Sequence, residues 1–383
     1  MRTLDLVRRF RAVCRPVLLC LAALALLLQA GCGADPTTKK DAAAVDAGAD
    51  TGADAGADAI EVDSGPALTL KWTELLPDTT TKMRAAAGVP GKIGSYVIVG
   101  EKATVLRLDG AVFTDISPTT IGKPDLNAVW VDADGTIVAA GAESTLITYD
   151  GTSWQVAGSI PPSPPVTFLA VHGVPGGKLW AVGEAGQAYT RDKAIWAPAA
   201  VSVTASGGEA IGADADFVDV RVTKAGSIWV AVSKGATSAG AVVRSVDGQT
   251  WTGVGVATPP RALWVDGADD SKSGSALVVG GTTSAFVARW DGSAFVDAGD
   301  VKWSLGFRAA TGLNPAATWI GGLKGQVRGW DGKAWSVVNI APPPGTVGGF
   351  PTPSGDVLSI AAHDADEVLV LTAFKLYRRG RQP

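Results

Sequence analysis

The chain of 383 residues is 46% hydrophobic and only 18% charged, with 48 Gly and 13 Trp but three Cys and two His. Its net charge of -4 argues against a nucleic-acid partner, because phosphate binding needs a basic surface. His172 and His363 are the only imidazoles, which excludes a His-rich metal centre. Sparse charge and abundant Gly point to short strands and tight turns rather than helices with solvated faces.

Arg2, Arg8, Arg9, Arg11 and Arg15 precede an apolar run at 17–28, which is short for a bilayer span and reads as an export signal. The run ends in Leu28-Gln29-Ala30-Gly31-Cys32-Gly33. Ala30, Gly31 and Cys32 resemble the lipobox of bacterial lipoproteins, which implies removal of 1–31 and a lipid on Cys32. Cys14 and Cys20 then leave with the signal, and the folded part has no thiol for a disulfide or a nucleophile.

Residues 32–66 are expected to form a disordered tether. Asp46, Asp50, Asp54 and Asp58 are spaced four apart, so on a helix they would share one face and repel, while Gly48, Gly52 and Gly56 would weaken it further. Asp/Ala-rich tracts of this kind after a lipidated Cys resemble the tethers of high-GC, myxobacterial-like lipoproteins.

The remainder, 67–383, repeats one unit. Very apolar runs recur about 40 to 50 residues apart, the period of propeller blades: Tyr96 to Gly100, Ile137 to Gly141, Leu179 to Gly183, Ile228 to Val232, Ala276 to Gly280, Thr318 to Gly322 and Val368 to Thr372. They are apolar on both faces, as strands sandwiched between neighbouring blades must be. Each unit continues to a turn closing on an aromatic. Asp109-Gly110 precedes Phe113, Asp150-Gly151 precedes Trp154, Asp247-Gly248 precedes Trp251, Asp291-Gly292 precedes Phe295 and Asp331-Gly332 precedes Trp335. Asp-Gly predicts a type I′ hairpin here. Asp192-Lys193 before Trp196 is a degraded copy.

The last unit lacks a fourth strand, and Leu68 to Thr73, with Trp72, belongs to no other unit. Pairing the two closes the ring and removes its open edge. The expected fold is all-β: a seven-bladed β-propeller of four-stranded blades, its last blade closed by the N-terminal strand. The repeats resemble kelch blades, and Arg244 to Trp251 resembles an Asp-box. The nearest likeness is to bacterial extracytoplasmic lipoproteins with Trp-Ala-Val-Gly and Tyr-Asp-Gly-x-x-Trp repeats, a resemblance that implies the fold and no activity.

Trp180, Trp229, Trp319, Trp154, Trp196, Trp251 and Trp335 fall in repeat columns and are expected to pack between blades. A second column, counted back from the small residues, brings Val89, Trp130, His172, Arg221, Trp264, Thr311 and Ala362 to the ends of first strands, which line the central channel. Trp130, His172, Arg221 and Trp264 are the candidate ligand-binding residues, suited to a carboxylate or an acidic sugar. Three long connections, at 159–165, 197–216 and 340–356, emerge on one face and form a second candidate surface.

These features favour a membrane-anchored envelope lipoprotein, expected on the outer membrane, whose propeller is a non-catalytic binding or scaffold module for a protein or polysaccharide. It is expected to be a monomer with no cofactor and no metal. The alternative is a glycan-active enzyme of sialidase or lyase type, which needs paired carboxylates or clustered arginines at the channel. Asp132 with Asp134 and Asp214 with Asp216 are carboxylate pairs in turn-like contexts, and only Arg221 falls in the aligned column. Replacing Cys32 by Ala should move the full chain from the detergent phase to the aqueous phase on phase partitioning; an unchanged detergent fraction would refute the lipid anchor.

Overall fold

The computed structural model describes residues 70–381, apart from 76, 78–79, 158–163, 194, 202–204, 207–214, 236–238, 302 and 341–354. The expected signal at 1–31, Cys32 and the tether at 32–66 lie outside the described residues. Residues 64–383 make one compact unit.

Seven antiparallel sheets form a ring, an all-β seven-bladed β-propeller. The first strands of blades 1 to 7 are Met83–Gly88, Leu126–Val131, Phe168–Gly173, Asp216–Val222, Pro260–Val265, Phe307–Asn314 and Ser359–Ala362. The apolar runs of the sequence are the second strands. Ile137–Gly141 and Leu179–Gly183 are buried at every position, because alternate side chains enter the interfaces on either side. In blade 1, Val97 and Val99 pack on Val129 and Ile137 of blade 2. Tyr96 and Ile98 pack on Leu369, Leu371 and Leu376 of blade 7. Each burial of this size stabilises by about 1.5–3 kcal/mol.

The small residue ending a second strand is dictated by close approach. A Cβ on Gly141 would lie 2.0 Å from the carbonyl oxygen of Asp125, and one on Gly183 would lie 2.2 Å from that of Thr167. Both are contacts that real side chains do not make.

The ring closes as the sequence implies, by a strand that runs to Leu75 rather than Thr73. Leu70–Leu75 is the fourth strand of blade 7 and pairs with Leu376–Arg381, setting Trp72 opposite Arg379. The Arg379 guanidinium lies 5.8 Å from the Trp72 ring. Side chains also tie blade 7 to blade 1. Glu367 accepts from Tyr96 Oη at 3.2 Å and from Arg378 Nε at 2.5 Å, and His363 Nε2 lies 2.8 Å from the Ser95 carbonyl oxygen.

Two local expectations change. Blade 4 has five strands rather than four, because Ala205–Ser206 in the 197–216 connection pairs in parallel with Trp251–Val256 at Gly253 and Val254. None of the five Asp-Gly dipeptides forms the expected type I′ turn: in blade 1 Asp109 pairs with Val112 and the loop is Gly110-Ala111, and the turns of blades 2, 4, 5 and 6 also lack an aspartate at positive φ. Only their glycines, Gly151, Gly248, Gly292 and Gly332, have positive φ, and the aspartate closes the loop with its side chain. Asp247 Oδ1 accepts from the N–H of Gln249 at 2.8 Å and of Thr250 at 2.7 Å. Asp150, Asp291 and Asp331 repeat this, and the N–H three residues on is the main cause holding all four carboxyls below their usual range. A side chain that caps two backbone donors removes the need for a left-handed aspartate.

Deleting 68–75 should abolish the cooperative thermal transition, since it strips blade 7 of its outer strand and the ring of its closure. Trp72→Ala alone should cost about 1.5 kcal/mol in denaturant melts, less than a core aromatic because the indole is only partly buried. A deletion variant that melts like the parent would contradict this.

Candidate functional site

The first strands surround a central channel of about 510 Å³. Register fixes which of their side chains are equivalent. Trp130, His172, Arg221, Trp264 and Thr311 stand opposite Val138, Trp180, Trp229, Leu277 and Trp319 of their second strands. The members from blades 1 and 7 are Ala87 and Ala361, opposite Val97 and Leu369. Val89 and Ala362 are therefore out of column. In blade 1 the paired residues Ala87 and Val97 are two positions further apart in the chain than Trp130 and Val138 in blade 2, so a fixed count back from the glycine stops two residues short.

Trp130, His172, Arg221 and Trp264 all line the channel, yet three of them are held by the next blade of the ring. Val222 N–H donates to His172 Nδ1 at 3.0 Å. Arg221 Nε donates to the Leu263 carbonyl oxygen at 2.7 Å, and its Nη1 donates to that of Val220 at 3.2 Å. Trp264 Nε1 donates to the Gly312 carbonyl oxygen at 2.9 Å. Trp130 is 8% exposed and packs on Val171 of blade 3. Trp264 is 5% exposed, so neither indole offers a free face for stacking on a sugar.

The same direction of bonding runs round the ring. Asn127 Nδ2 of blade 2 donates to the Phe168 carbonyl oxygen of blade 3 at 3.0 Å. Ser359 Oγ of blade 7 accepts from Ala86 N–H of blade 1 at 3.2 Å. Asp219 does most. Buried in blade 4, it accepts from Leu263 N–H of blade 5 and from Val220 N–H, each at 2.8 Å, and pairs with Arg221 Nη2 at 3.1 Å. Burial raises its carboxyl above the usual value, against the pull of Arg221 and the two N–H groups. Burial first, and Arg221 second, push His172 down to about 3, so the imidazole is neutral at physiological pH with its proton on Nε2.

The arginines that the aligned column lacked occupy another position. In blades 1 to 6 each first strand carries a bulge after its first core residue. The bulged residues Arg84, Asn127, Arg261 and Arg308 line the channel at the end where first strands begin. Counting back from second strands passes over a bulge, because the bulged residue has no partner there. A readable signal exists in the run of large apolar, any residue, small residue: Met83-Arg84-Ala85, Leu126-Asn127-Ala128 and Phe307-Arg308-Ala309.

The other candidate groups serve turns and packing. Asp132 accepts from the N–H groups of Ala133 and Gly176, and Asp134 from that of Thr136. Asp216 accepts from Ala185 N–H at 3.1 Å; Asp214 lies outside the described residues. Among the Trp column, Trp180 meets Trp251 edge-on at 5.8 Å, and Trp154 and Trp335 donate to the carbonyls of Ile116 and Ala298 in the preceding blades. Of the three long connections, 159–163, most of 202–214 and 341–354 lie outside the described residues. Among the described residues no cluster of His, Cys, Asp and Glu could hold a metal ion, and no helix is long and apolar enough to cross a membrane.

Two outcomes test these roles. Asp219→Ala should destabilise the ring by about 3 kcal/mol, because it leaves a guanidinium and the Leu263 N–H without their partner. Stability should fall as pH drops below about 6.5, because the unfolded chain takes up a proton that folded His172 refuses until about pH 3. His172→Gln, which keeps an acceptor for Val222, should flatten the profile above the carboxylate range. A profile identical to the parent's would show that His172 carries no such linkage.

No protein-family model matches this sequence, and no curated protein does. Similar solved structures are propellers of low identity. YCF48 bound to D1 peptide aligns over 81% of this chain and 97% of its own, with a TM-score of 0.60 and 15% identity. YCF48 from Cyanidioschyzon merolae covers 81% and 99%, with a TM-score of 0.63 and 15% identity. The WD40 β-propeller domain of Doa1 covers 82% and 98%, with a TM-score of 0.59 and 10% identity. At these identities the likeness shows the fold: the chain folds as a seven-bladed propeller of the kind found in these proteins.

Proposed function

We propose that the chain is an envelope lipoprotein, anchored through Cys32, whose propeller is a non-catalytic module that binds a protein segment at the channel mouth where first strands begin. The observation that carries this reading is a division of roles within the first strands. Side chains of the inner column and Asp219 are engaged in bonds between blades, whereas at the bulge position, which faces the mouth, Arg84 and Asn127 are engaged and Arg261 and Arg308 have no hydrogen-bond partner among the described residues. Such a concave opening lined by a few polar groups is where ligands of folded modules usually sit.

Topology supports the same face. First strands begin where the 159–165, 197–216 and 340–356 connections emerge. Leu70–Leu75, as the fourth strand of blade 7, starts at the opposite face, beside the Asp-Gly turns. A chain anchored upstream of Leu70 therefore enters the ring on the side away from the arginine-bearing mouth. One structurally similar propeller holds a peptide, which favours a polypeptide over a polysaccharide here, as does the burial of Trp130 and Trp264.

The glycan-active reading draws on Arg84, Arg261 and Arg308, but a glycosidase also needs two carboxyls about 5 to 10 Å apart. Among the described residues that line the channel, Asp219 is the one carboxylate, and its oxygens are engaged by Leu263, Val220 and Arg221; at the mouth the neighbouring carboxylates Glu101 and Asp125 are both paired with Arg84 Nη2. The test is to offer the full chain in detergent a peptide panel, a glycan panel and fluorogenic glycosides. Peptide binding without glycoside turnover is expected; turnover lost in Asp219→Asn would overturn the reading in favour of an enzyme.

A further inference from the structure

The three mouth arginines occupy equivalent positions but differ in what surrounds them. Arg84 Nη2 lies 3.1 Å from Glu101 Oε1 and 2.8 Å from Asp125 Oδ2, so its charge is met by two carboxylates and it latches blade 1 to the strand start of blade 2. Arg308 Nη2 is 3.7 Å from Asp356 Oδ2, too far for a hydrogen bond. That carboxylate already accepts from Lys324 N–H through Oδ1 at 3.0 Å, and the Arg308 side chain is 48% exposed. Arg261 makes no ion pair and no hydrogen bond to any described residue, although it is only partly exposed and lines the channel.

Arg261 and Arg308 sit on the first strands of neighbouring blades, 5 and 6, which pack on one another through Ala262, Trp264, Phe307 and Ala310. Arg261 is presented by a stiff start: Pro260 is buried and pairs with Gly280, and Pro259 precedes it. Proline fixes the backbone there, so the strand start that carries Arg261 is already formed before a ligand arrives. Below the mouth the lining is small, with Ala85, Ala86, Ala262 and Ala309, which leaves room for an entering group.

We infer that Arg261, assisted by Arg308, is the specificity-determining site of this module and that it recognises a carboxylate on the bound polypeptide. The inference rests on the peptide-binding reading above and adds the chemistry of the ligand. A guanidinium half withdrawn from water and lacking a counter-ion favours an anion, and its planar fork matches a carboxylate through two parallel bonds. Arg84, whose charge is already met, has a latching role and adds little selectivity. The carboxylate comes from an acidic side chain or from a chain terminus, and both present the same two oxygens.

The test is selection of random peptides by the full chain from two phage libraries, one displaying peptides by their C-terminal ends and the other exposing a free C-terminal carboxylate. Asp and Glu should be enriched in the first library, and in the second as well if the side chain is the source. Enrichment in the second library without acidic residues identifies the terminus. Synthetic versions of the selected peptides should bind Arg261→Gln about tenfold or more weakly, with an unchanged melting temperature. Arg308→Gln should lose several-fold, Arg261→Lys should fall between Gln and the parent, and affinity should drop with added salt. Selected peptides that bind without acidic enrichment or a free terminus, or that bind Arg261→Gln as well as the parent, would overturn the carboxylate site and leave the peptide module standing. Failure to select any peptide would overturn both.

Discussion

The inner edge of the ring is the constraint on which the rest of this structure depends. Each first strand pairs on one side only, so a row of its N–H and C=O groups faces the axis without a ladder partner. Such an edge is costly when buried and prone to unwanted pairing when open. This chain covers it laterally. Asn127, His172, Asp219, Arg221, Trp264 and Ser359 each reach to a backbone group of the next blade, always in the same rotational sense. Arg84 with Asp125 continues the circuit between blades 1 and 2, and between blades 6 and 7 Arg308 lies 3.7 Å from Asp356 without a hydrogen bond. The seven interfaces buried between second strands supply the apolar stabilisation, and these polar bonds fix how neighbouring blades meet.

That constraint decides where a ligand can be recognised. A polar side chain pointing into a channel looks available when only its type and position are known. In this ring, the imidazole, guanidinium and indole of the inner column have partners on the adjacent strand, and moving them would open an inter-blade junction. The bulge position is different, because its residue lies outside the first-to-second-strand ladder: Asn127 and Arg84 use it to reach the next blade, whereas Arg261 and Arg308 make no such hydrogen bond. Leu169 and Val218 occupy it in blades 3 and 4, and Arg261 and Arg308 in blades 5 and 6. The asymmetry of the mouth is therefore a property of side chains on a nearly symmetric backbone.

Much of the fold was legible because its determinants are local. Second strands announce themselves through apolar runs such as Leu179 to Gly183, which must serve two interfaces at once. The closure was legible through a deficit, since Trp72 had no unit and the last unit had no fourth strand. The candidate site was less so. His172 and Arg221 line one opening, but their lateral partners, Val222 and Leu263, lie some 40 or 50 positions away and are backbone groups, which leave no trace in residue identity. Arg261 and Arg308 escaped because a bulge breaks the count that the column relied on. The Asp-Gly turns show the same limit: the dipeptide marks a turn, while its type depends on Asp247 and its counterparts capping the loop with a carboxylate.

The central claim is that the mouth at the start of the first strands, and not the inner column, meets the partner. An experimental structure of the full chain with a bound acidic peptide tests it most directly. The account predicts a peptide carboxylate within hydrogen-bond distance of the Arg261 guanidinium, with the His172 to Val222, Arg221 to Leu263 and Trp264 to Gly312 bonds unbroken. A peptide seated at the opposite mouth or along an outer strand, or a carboxylate that displaces Arg221 from Leu263, would contradict it.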